Sequence, residues 1–448
     1  MLSRRNFLIG LATAATALPL GGKAIAQAGT INAVSAGLRP GSIDDQGRKL
    51  QAILDEASKL GRAVFLEPGI YRVSNIHLPK FTSLHGVSGS TRLEYAGGNH
   101  FLHGENARHI ILDGLAMQGG LLPIDGYAES LLRISNTKHV AIEKCHIADS
   151  AEIGCYISGS QGSLFNSQIE NAIGTAGLYC VDNTGFAIHN NLVEECGNNG
   201  ILVHRSSIGD DNTVVTGNRI RRIAALNGGT GPWGNGINTY RANGVIVNNN
   251  HVSDCAFSTI RSNSCSNIQI ANNTCIRAGE TSIYSEFAFQ GASITGNIVD
   301  TAALGISIAN FNEGGRLSTC SNNVIRNMHS HIPYPNDGHI HGVGISAEAD
   351  TAITGNVIEN TPRFGMMLGW GPYLRNVTAT GNMIRKTQTG VAVSVVEGVK
   401  RITIANNIFS DVSTGAIVGH RWHDPVTGDL ALANSSRFPE LRVSGNTV

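Results

Sequence analysis

The sequence predicts an all-β chain wound as a parallel solenoid behind one short helix. Three observations lead there. The 448 residues include 54 glycines and 41 asparagines, the residues that most readily take φ > 0 and mark turns. From about residue 140 onward one pattern recurs: an apolar residue, two spacers, Asn, any residue, then an apolar residue. Most of its anchors lie 22 to 27 residues apart, too close for an α/β unit and suited to one coil of a stacked β-repeat. The balance of 33 basic against 33 acidic residues excludes a nucleic-acid binder working through a basic stripe. A hydrophobic content of 41% excludes a disordered chain.

The elements follow in order. Met1 to about Ala26 reads as a targeting peptide. Asp44-Asp45-Gln46 through Gly61 reads as a helix, opened by acidic residues, with Leu50, Ile53, Leu54 and Ala57 at helical spacing and Gly61 closing it. Short strands punctuated by turns come next: Ala63–Leu66, Tyr71–Val73 and Leu84–Val87. The repeat then runs to the end. Its Asn column is Asn191, Asn218, Asn250, Asn273, Asn297, Asn323, Asn356, Asn382, Asn407 and Asn446, with Cys145 and Ser167 in the same place in the first two copies. Eight to ten residues later a second strand opens, often on glycine, as at Gly154, Gly177, Gly200, Gly305, Gly365, Gly390 and Gly415. One coil cannot bury its apolar side alone, so coils must stack, about 4.8 Å apart, to build a continuous core. Asn at one turn of every coil can ladder its amides and satisfy turn backbone groups. Cys320 falls at an inward site held elsewhere by Ile188, Val215, Val247, Ile270, Ile294 and Ile353, and Cys155 and Cys180 also point inward. The cysteines therefore read as buried apolar fillers.

These features carry two resemblances. Ser3-Arg4-Arg5-Asn6-Phe7-Leu8, a weakly apolar stretch, Lys23 and then Ala24-Ile25-Ala26 resemble a twin-arginine export signal with an A-x-A cleavage site. Cleavage would leave 30 basic and 33 acidic residues in a periplasmic or secreted protein. Nothing downstream offers the ~18 continuous apolar residues of a membrane span. The helix followed by "VFLEPGIY", "SLHGV" and "STRLEY" resembles the N-terminal cap of pectin lyase-like proteins, where a short helix seals the open end of the core. With the repeat, the chain is identified as resembling the pectin lyase-like superfamily, and more narrowly its twin-arginine-exported β-helix repeat proteins of unassigned activity. The resemblance implies a right-handed parallel β-helix with a capping helix. It divides the chain into a signal peptide (1–26), a cap with the first coils (27–100) and the repeat domain (101–448). Relatives are mostly polysaccharide lyases, hydrolases and C5-epimerases, which implies an acidic polysaccharide as partner. A twin-arginine translocase during export, a monomeric state and no nucleic acid are the other partner expectations.

Two coils are long. Asn218 to Gly236 takes 18 residues and Asn323 to Gly344 takes 21. Both insertions enter at the same turn, four coils or about 19 Å apart, and would wall a groove. One wall contains residues 226–233, the other residues 328–341. Alternation gives the outward floor. One column reads Leu202, Asn238, Arg261, Tyr284, Ser307, Ser346; its neighbour reads His204, Tyr240, Asn263, Glu286, Ala309, Glu348, with Arg205 and Arg241 at strand ends. Elsewhere the same columns are expected to be bland, as at Ser158, Ala392 and Ser394.

A uronate lyase or epimerase would use such groups as follows. Arg241 or Arg261 would clamp the substrate carboxylate, His204 or a loop histidine would be base, and Tyr240 or Tyr284 acid. Trp233, Asn238, Asn263, His339, His341 and Glu348 are the candidate substrate-binding residues, beside catalytic candidates His204, Tyr240, Arg241, Arg261, Tyr284 and Glu286. An inverting hydrolase would instead use Glu286 and Glu348, two coils apart, about 9.6 Å by that rise, against the ≈6.5–9.5 Å between carboxyls it requires. The three-Asp set and the G-H-G and R-I-K motifs of polygalacturonases are absent, as are the D-P-H-D motif of mannuronan epimerases and a pectate-lyase aspartate cluster. A non-catalytic glycan-binding or structural β-helix is the third reading. No cofactor is assigned; the pairs His329-x-His331 and His339-x-His341 have a spacing that suits metal ligands, and are read first as groove wall.

Overall fold

A computed structural model describes residues 29–310, 314–335, 338, 340–433 and 437–448. The proposed signal peptide therefore lies outside the described residues. Most coils contribute three strands, the second and third merging in the last coils into single long strands such as Val357–Leu368 and Met383–Ser394, and strands of successive coils pair in parallel. The first face is a 16-stranded sheet running from Ile31–Asn32 to Leu441–Ser444. The second face includes Arg219–Ile223, His251–Cys255 and Thr274–Ala278, and the third includes Asn235–Asn243, Ile260–Asn263, Thr281–Glu286 and Leu304–Ala309. Inward residues of all three form one apolar column; Ile188, Val215, Val247, Ile270, Ile294, Cys320 and Ile353 follow one another in register along it.

The Asn column is a buried ladder. In each coil from Asn191 to Asn407 the backbone N–H donates to Oδ1 of the next Asn, at 2.9–3.0 Å. The amide of each also donates to a carbonyl of the preceding coil, as Asn297 does to Ile270 at 3.0 Å. Cys145 and Ser167 begin the series through Ser167 Oγ and Asn191 Oδ1. The residue before each anchor, from Lys144 to Gly445, is left-handed, with φ between 50° and 67°. That conformation favours Asn and Gly, which explains the recurring Asn-Asn and Gly-Asn pairs.

The strand-opening glycines have another cause. A Cβ on Gly200 would stand 2.5 Å from the Gly236 carbonyl and one on Gly365 2.6 Å from that of Gly390. Coils approach there too closely for any side chain. The eight cysteines are buried and free, as fillers should be.

The helix spans Gly47–Leu60, so Asp44 and Asp45 precede it rather than open it. Asp45 Oδ1 accepts the Gly47 N–H at 2.8 Å, and Gly61 ends the helix with φ 64°. Its buried face of Leu50, Ile53, Leu54 and Ala57 joins the core at the first coils. At the other end the last pairing is antiparallel: Asp424–Asp429 folds back on the strand ending at Arg421.

Candidate functional site

The third face carries the site because two coils lengthen at its edge. Arg261 pairs in register with Asn238 and Tyr284, Tyr284 with Ser307, and Ser307 with Ser346. Asn263, Glu286 and Ala309 pair likewise. Both long loops overhang the same stretch: Thr230 and Gly231 from the first, Tyr334, Ile340 and His341 from the second. With Arg261, Glu280, Tyr284, Glu286, Ala309 and Glu348 they enclose a cavity of 520 Å³. The loops are tied down from the floor, by Thr230 Oγ1 donating to Glu280 Oε2 at 2.7 Å and by ring contact of Phe257 with Tyr334.

Arg261 and Glu286 point outward from the sheet and are nonetheless buried beneath these loops, with side chains 12% and 3% exposed. Arg261 Nε donates to Glu286 Oε1 at 2.7 Å, and Asn263 Nδ2 donates to the same oxygen at 2.9 Å. The Arg261 guanidinium lies 5.0 Å from the Tyr284 ring centre. Burial pushes the Glu286 carboxyl above its ordinary value, against the pull of Arg261, and Glu280 adds to the rise. Burial, then Glu286, push the Tyr284 phenol up as well, so it holds its proton. The neighbouring Asn310 N–H donates to Glu348 Oε2 at 2.7 Å and orients that carboxylate. Three carboxylates thus face a cavity in which Arg261 is the only guanidinium or ammonium among the described lining residues.

The structure brings Arg261, Tyr284, Glu286, His341 and Glu348 together and leaves other candidates elsewhere. His204 and Tyr240 do not line the cavity; they belong to a rib of rings toward the N-terminus. There Tyr156 meets Tyr179 at 5.6 Å, Tyr179 meets His204 at 5.1 Å, and His204 meets Tyr240 at 5.5 Å, all edge to face. Arg133 caps this rib over Tyr156 at 4.4 Å and Arg241 over Tyr240 at 4.7 Å. Arg241 also donates to the Ser206 carbonyl at 3.2 Å. A base at His204 and a clamp at Arg241 are therefore separated from Arg261 and Tyr284. Asn238 is buried beside Arg261 in register, Asn263 acts through Glu286, and Trp233 stays in its loop outside the lining. His339 lies outside the described residues. His329 lines a different hollow, with Asp254 and Arg277, and not the cavity of His341.

Several lining and flanking residues escaped the sequence reading. Glu280 stands before the strand, where alternation has not begun. Tyr156 and Tyr179 continue the Arg261 column, so the expectation of bland residues outside the loops fails on the N-terminal side. Counting outward from inward Cys155 and Cys180 would have found them. Trp370 and Trp422 sit in turns, beyond the reach of periodicity.

Residues 126–233 match the family model "Right handed beta helix region", and residues 225–434 match "Periplasmic copper-binding protein (NosD)". No curated protein matches the chain. Among solved structures, the gene product 12 N-terminal fragment of bacteriophage Phi29 is similar with TM-score 0.56 and 14% identity, over 87% of this chain and 68% of that one. The GH87 α-1,3-glucanase catalytic unit of Streptomyces thermodiastaticus follows the winding with TM-score 0.49 and 16% identity, over 94% and 69%. The mannuronan C-5 epimerase AlgE4 A-module of Azotobacter vinelandii does so with 0.48 and 14%, over 89% and 100%. At such identity the likeness concerns the winding of the chain alone.

The second family's description names copper, and the described residues of this chain do not fit that ion. No group of three or more His, Cys, Asp or Glu among them is placed to hold a metal. The cysteines are sealed in the core, where burial pushes thiols such as Cys145 up to about 12, away from the thiolate a metal requires. Also among the described residues, no helix is long and apolar enough to cross a membrane. Coils stacked in register from Ile31 to Ser444, with both family models lying on them, place the chain in the right-handed parallel β-helix superfamily.

Proposed function

We propose that this is an exported glycan-acting enzyme, and that it cleaves its polymer by inverting hydrolysis between Glu286 and Glu348. The observation that carries this is the charge in the cavity: three carboxylates around one guanidinium that is already engaged with Glu286. A uronate would meet net negative charge there, whereas glycosidic-bond hydrolysis needs a proton donor and an anionic base. Burial favours the protonated form of Glu286, which suits it to protonate the leaving glycosidic oxygen. Glu348 stands one coil beyond Ala309, the register partner of Glu286, so two rises, about 9.6 Å, separate their backbones. The methyl of Ala309 leaves that gap open for a water. Glu348 takes one proton of that water as its oxygen attacks the anomeric carbon. The rib of Tyr156, Tyr179 and Tyr240 offers ring faces and edges along the axis to an extended chain.

The test incubates the protein with neutral and uronate polysaccharides and reads reducing ends, unsaturated-uronate absorbance and product anomer by NMR. The expected outcome is new reducing ends of inverted configuration, with Glu286→Gln and Glu348→Gln each lowering kcat by about 10²–10⁴-fold. Because Glu286 acts protonated, the alkaline limb of the pH–rate profile belongs to it and lies above 4.5, the ordinary value. Wild-type turnover in Glu286→Gln, or no reducing ends from any polymer, would remove the assignment. A second reading, uronate elimination or C5-epimerisation, is favoured by one observation: Arg261 Nη1 is buried without a hydrogen-bond partner. A new double bond, or epimerised product, with Arg261→Met inactive, would replace hydrolysis with that chemistry.

A further inference from the structure

Beyond the cavity, the same face continues toward the C-terminus. By register the Glu286 and Glu348 column runs on to Gly369, Ser394 and His420. At that point the chain leaves the strand direction: Gly369 is left-handed at φ 76°, and Trp370 follows it. Two residues after His420 stands Trp422, at the turn of the last hairpin and also left-handed, at φ 55°. The two indoles meet edge to face, 5.5 Å between centroids at 75°, and His423 adds its ring against Trp370 at 4.8 Å.

The pair is held in place. Gly371 lies directly beneath the six-membered ring of Trp422, so closely that a Cβ there would collide with it. Its carbonyl accepts Ser394 Oγ at 2.7 Å. Trp422 is nevertheless 46% exposed. A large apolar ring fixed in position and half open to water is a surface prepared for a partner.

The chemistry of that partner follows from continuity and charge. Ile340 and Met367 line both the cavity and the hollow bounded by Trp370 and Trp422. Whatever extends from the cavity toward the C-terminal end passes over the indoles. The described lining of the hollow carries no carboxylate, ammonium or guanidinium, in contrast with Glu348 one coil away. An uncharged surface of aromatic rings matches the apolar C–H face of an uncharged sugar ring.

We propose that Trp370 and Trp422 form a sugar-stacking subsite that holds the glycan on the C-terminal side of the cleavage cavity, so that the enzyme acts within extended chains. This rests on the glycan reading above, and the experiment separates the two. Tryptophan fluorescence of full-length Glu286→Gln, which binds without turnover, is titrated with malto-, laminari- and galacturonate hexasaccharides. The expected result is a saturable shift with at least one neutral hexamer. Affinity then falls about tenfold in the Trp422→Ala and Trp370→Ala versions and is restored by Trp422→Tyr, with melting temperature confirming that each variant folds. In otherwise wild-type protein, Trp422→Ala is expected to raise KM for the long chain more than for the disaccharide.

A saturable hexamer shift that survives both alanine variants unchanged overturns the subsite while leaving the catalytic carboxylates untouched. No shift with any hexamer, in a protein that releases reducing ends from polymer, does the same. A shift lost in Trp422→Ala, in a protein whose Glu286→Gln version is fully active, upholds the subsite and removes the hydrolytic assignment. A concentration-dependent rise in sedimentation coefficient that Trp422→Ala abolishes would assign the indoles to contact between copies and overturn the proposal.

Discussion

A single ladder asparagine does three jobs at once. Asn297 Oδ1 accepts the backbone N–H of Asn273 at 2.9 Å and its amide at 3.0 Å, and its own amide reaches Ile270 O at 3.0 Å. All of these atoms are buried. Asn297→Ala leaves the Asn273 N–H without an acceptor, an unpaired buried group costing about 1–3 kcal/mol, and removes the side-chain donor from Ile270 O. A melting temperature several degrees lower is expected, with the winding retained in the circular dichroism spectrum. An unchanged melting temperature would show that water replaces the amide. Asn297→Asp is no substitute, because a carboxylate brings no donor for Ile270 O.

At the scale of elements, the strands are held in register by features that contribute little energy singly. On the edge beyond the second face, Arg222 pairs with Glu195 at 2.9 Å, Arg277 with Asp254 at 2.6 Å, Arg326 with Asp300 at 2.9 Å and Lys386 with Glu359 at 3.2 Å. Exposed pairs of this kind contribute about 0–1 kcal/mol each. Their use is to penalise a slipped coil, which would place like charges opposite each other. The aromatic rib behaves differently because it encloses an ionisable ring. Burial lowers the His204 pKa from 6.5 to about 4, so the folded state holds it neutral while the unfolded chain protonates it. The unfolded state binds the extra proton between those values, and the stability His204 contributes is complete above 6.5 and lost as pH falls toward 4. His204→Asn is expected to flatten the fall in melting temperature across that window; parallel slopes for the two proteins would refute this.

For the whole molecule, stacking solves the core problem everywhere except at the ends. A solenoid coil buries its apolar side only between neighbours, so terminal coils need covers. The helix face of Leu50, Ile53, Leu54 and Ala57 covers one end, and the antiparallel Asp424–Asp429 hairpin folds against the last long strand. Leu54→Asp would set an unpaired carboxylate against the first coils, and the helix would lift rather than bury it. Loss of folded protein and concentration-dependent light scattering are expected. A monodisperse protein with unchanged melting would mean that the helix is not the cover.

How much was legible in the residues divides by range. Periodicity, the Asn column and the inward cysteines determined the coils, because each coil repeats the same local requirement: one left-handed turn residue, one buried amide and alternating apolar positions. The Arg261 and Glu286 columns were readable for the same reason, since register in a stacked sheet is set by that repeat. What tertiary structure alone decided was which outward residues share a cavity. Two insertions, far apart in the chain, close over Arg261, Tyr284, Glu286 and Glu348, while His204 and Tyr240, in the same column as Glu286, stay with the rib. Burial, and with it the upward push on the Glu286 carboxyl, comes from loops whose paths no periodicity encodes.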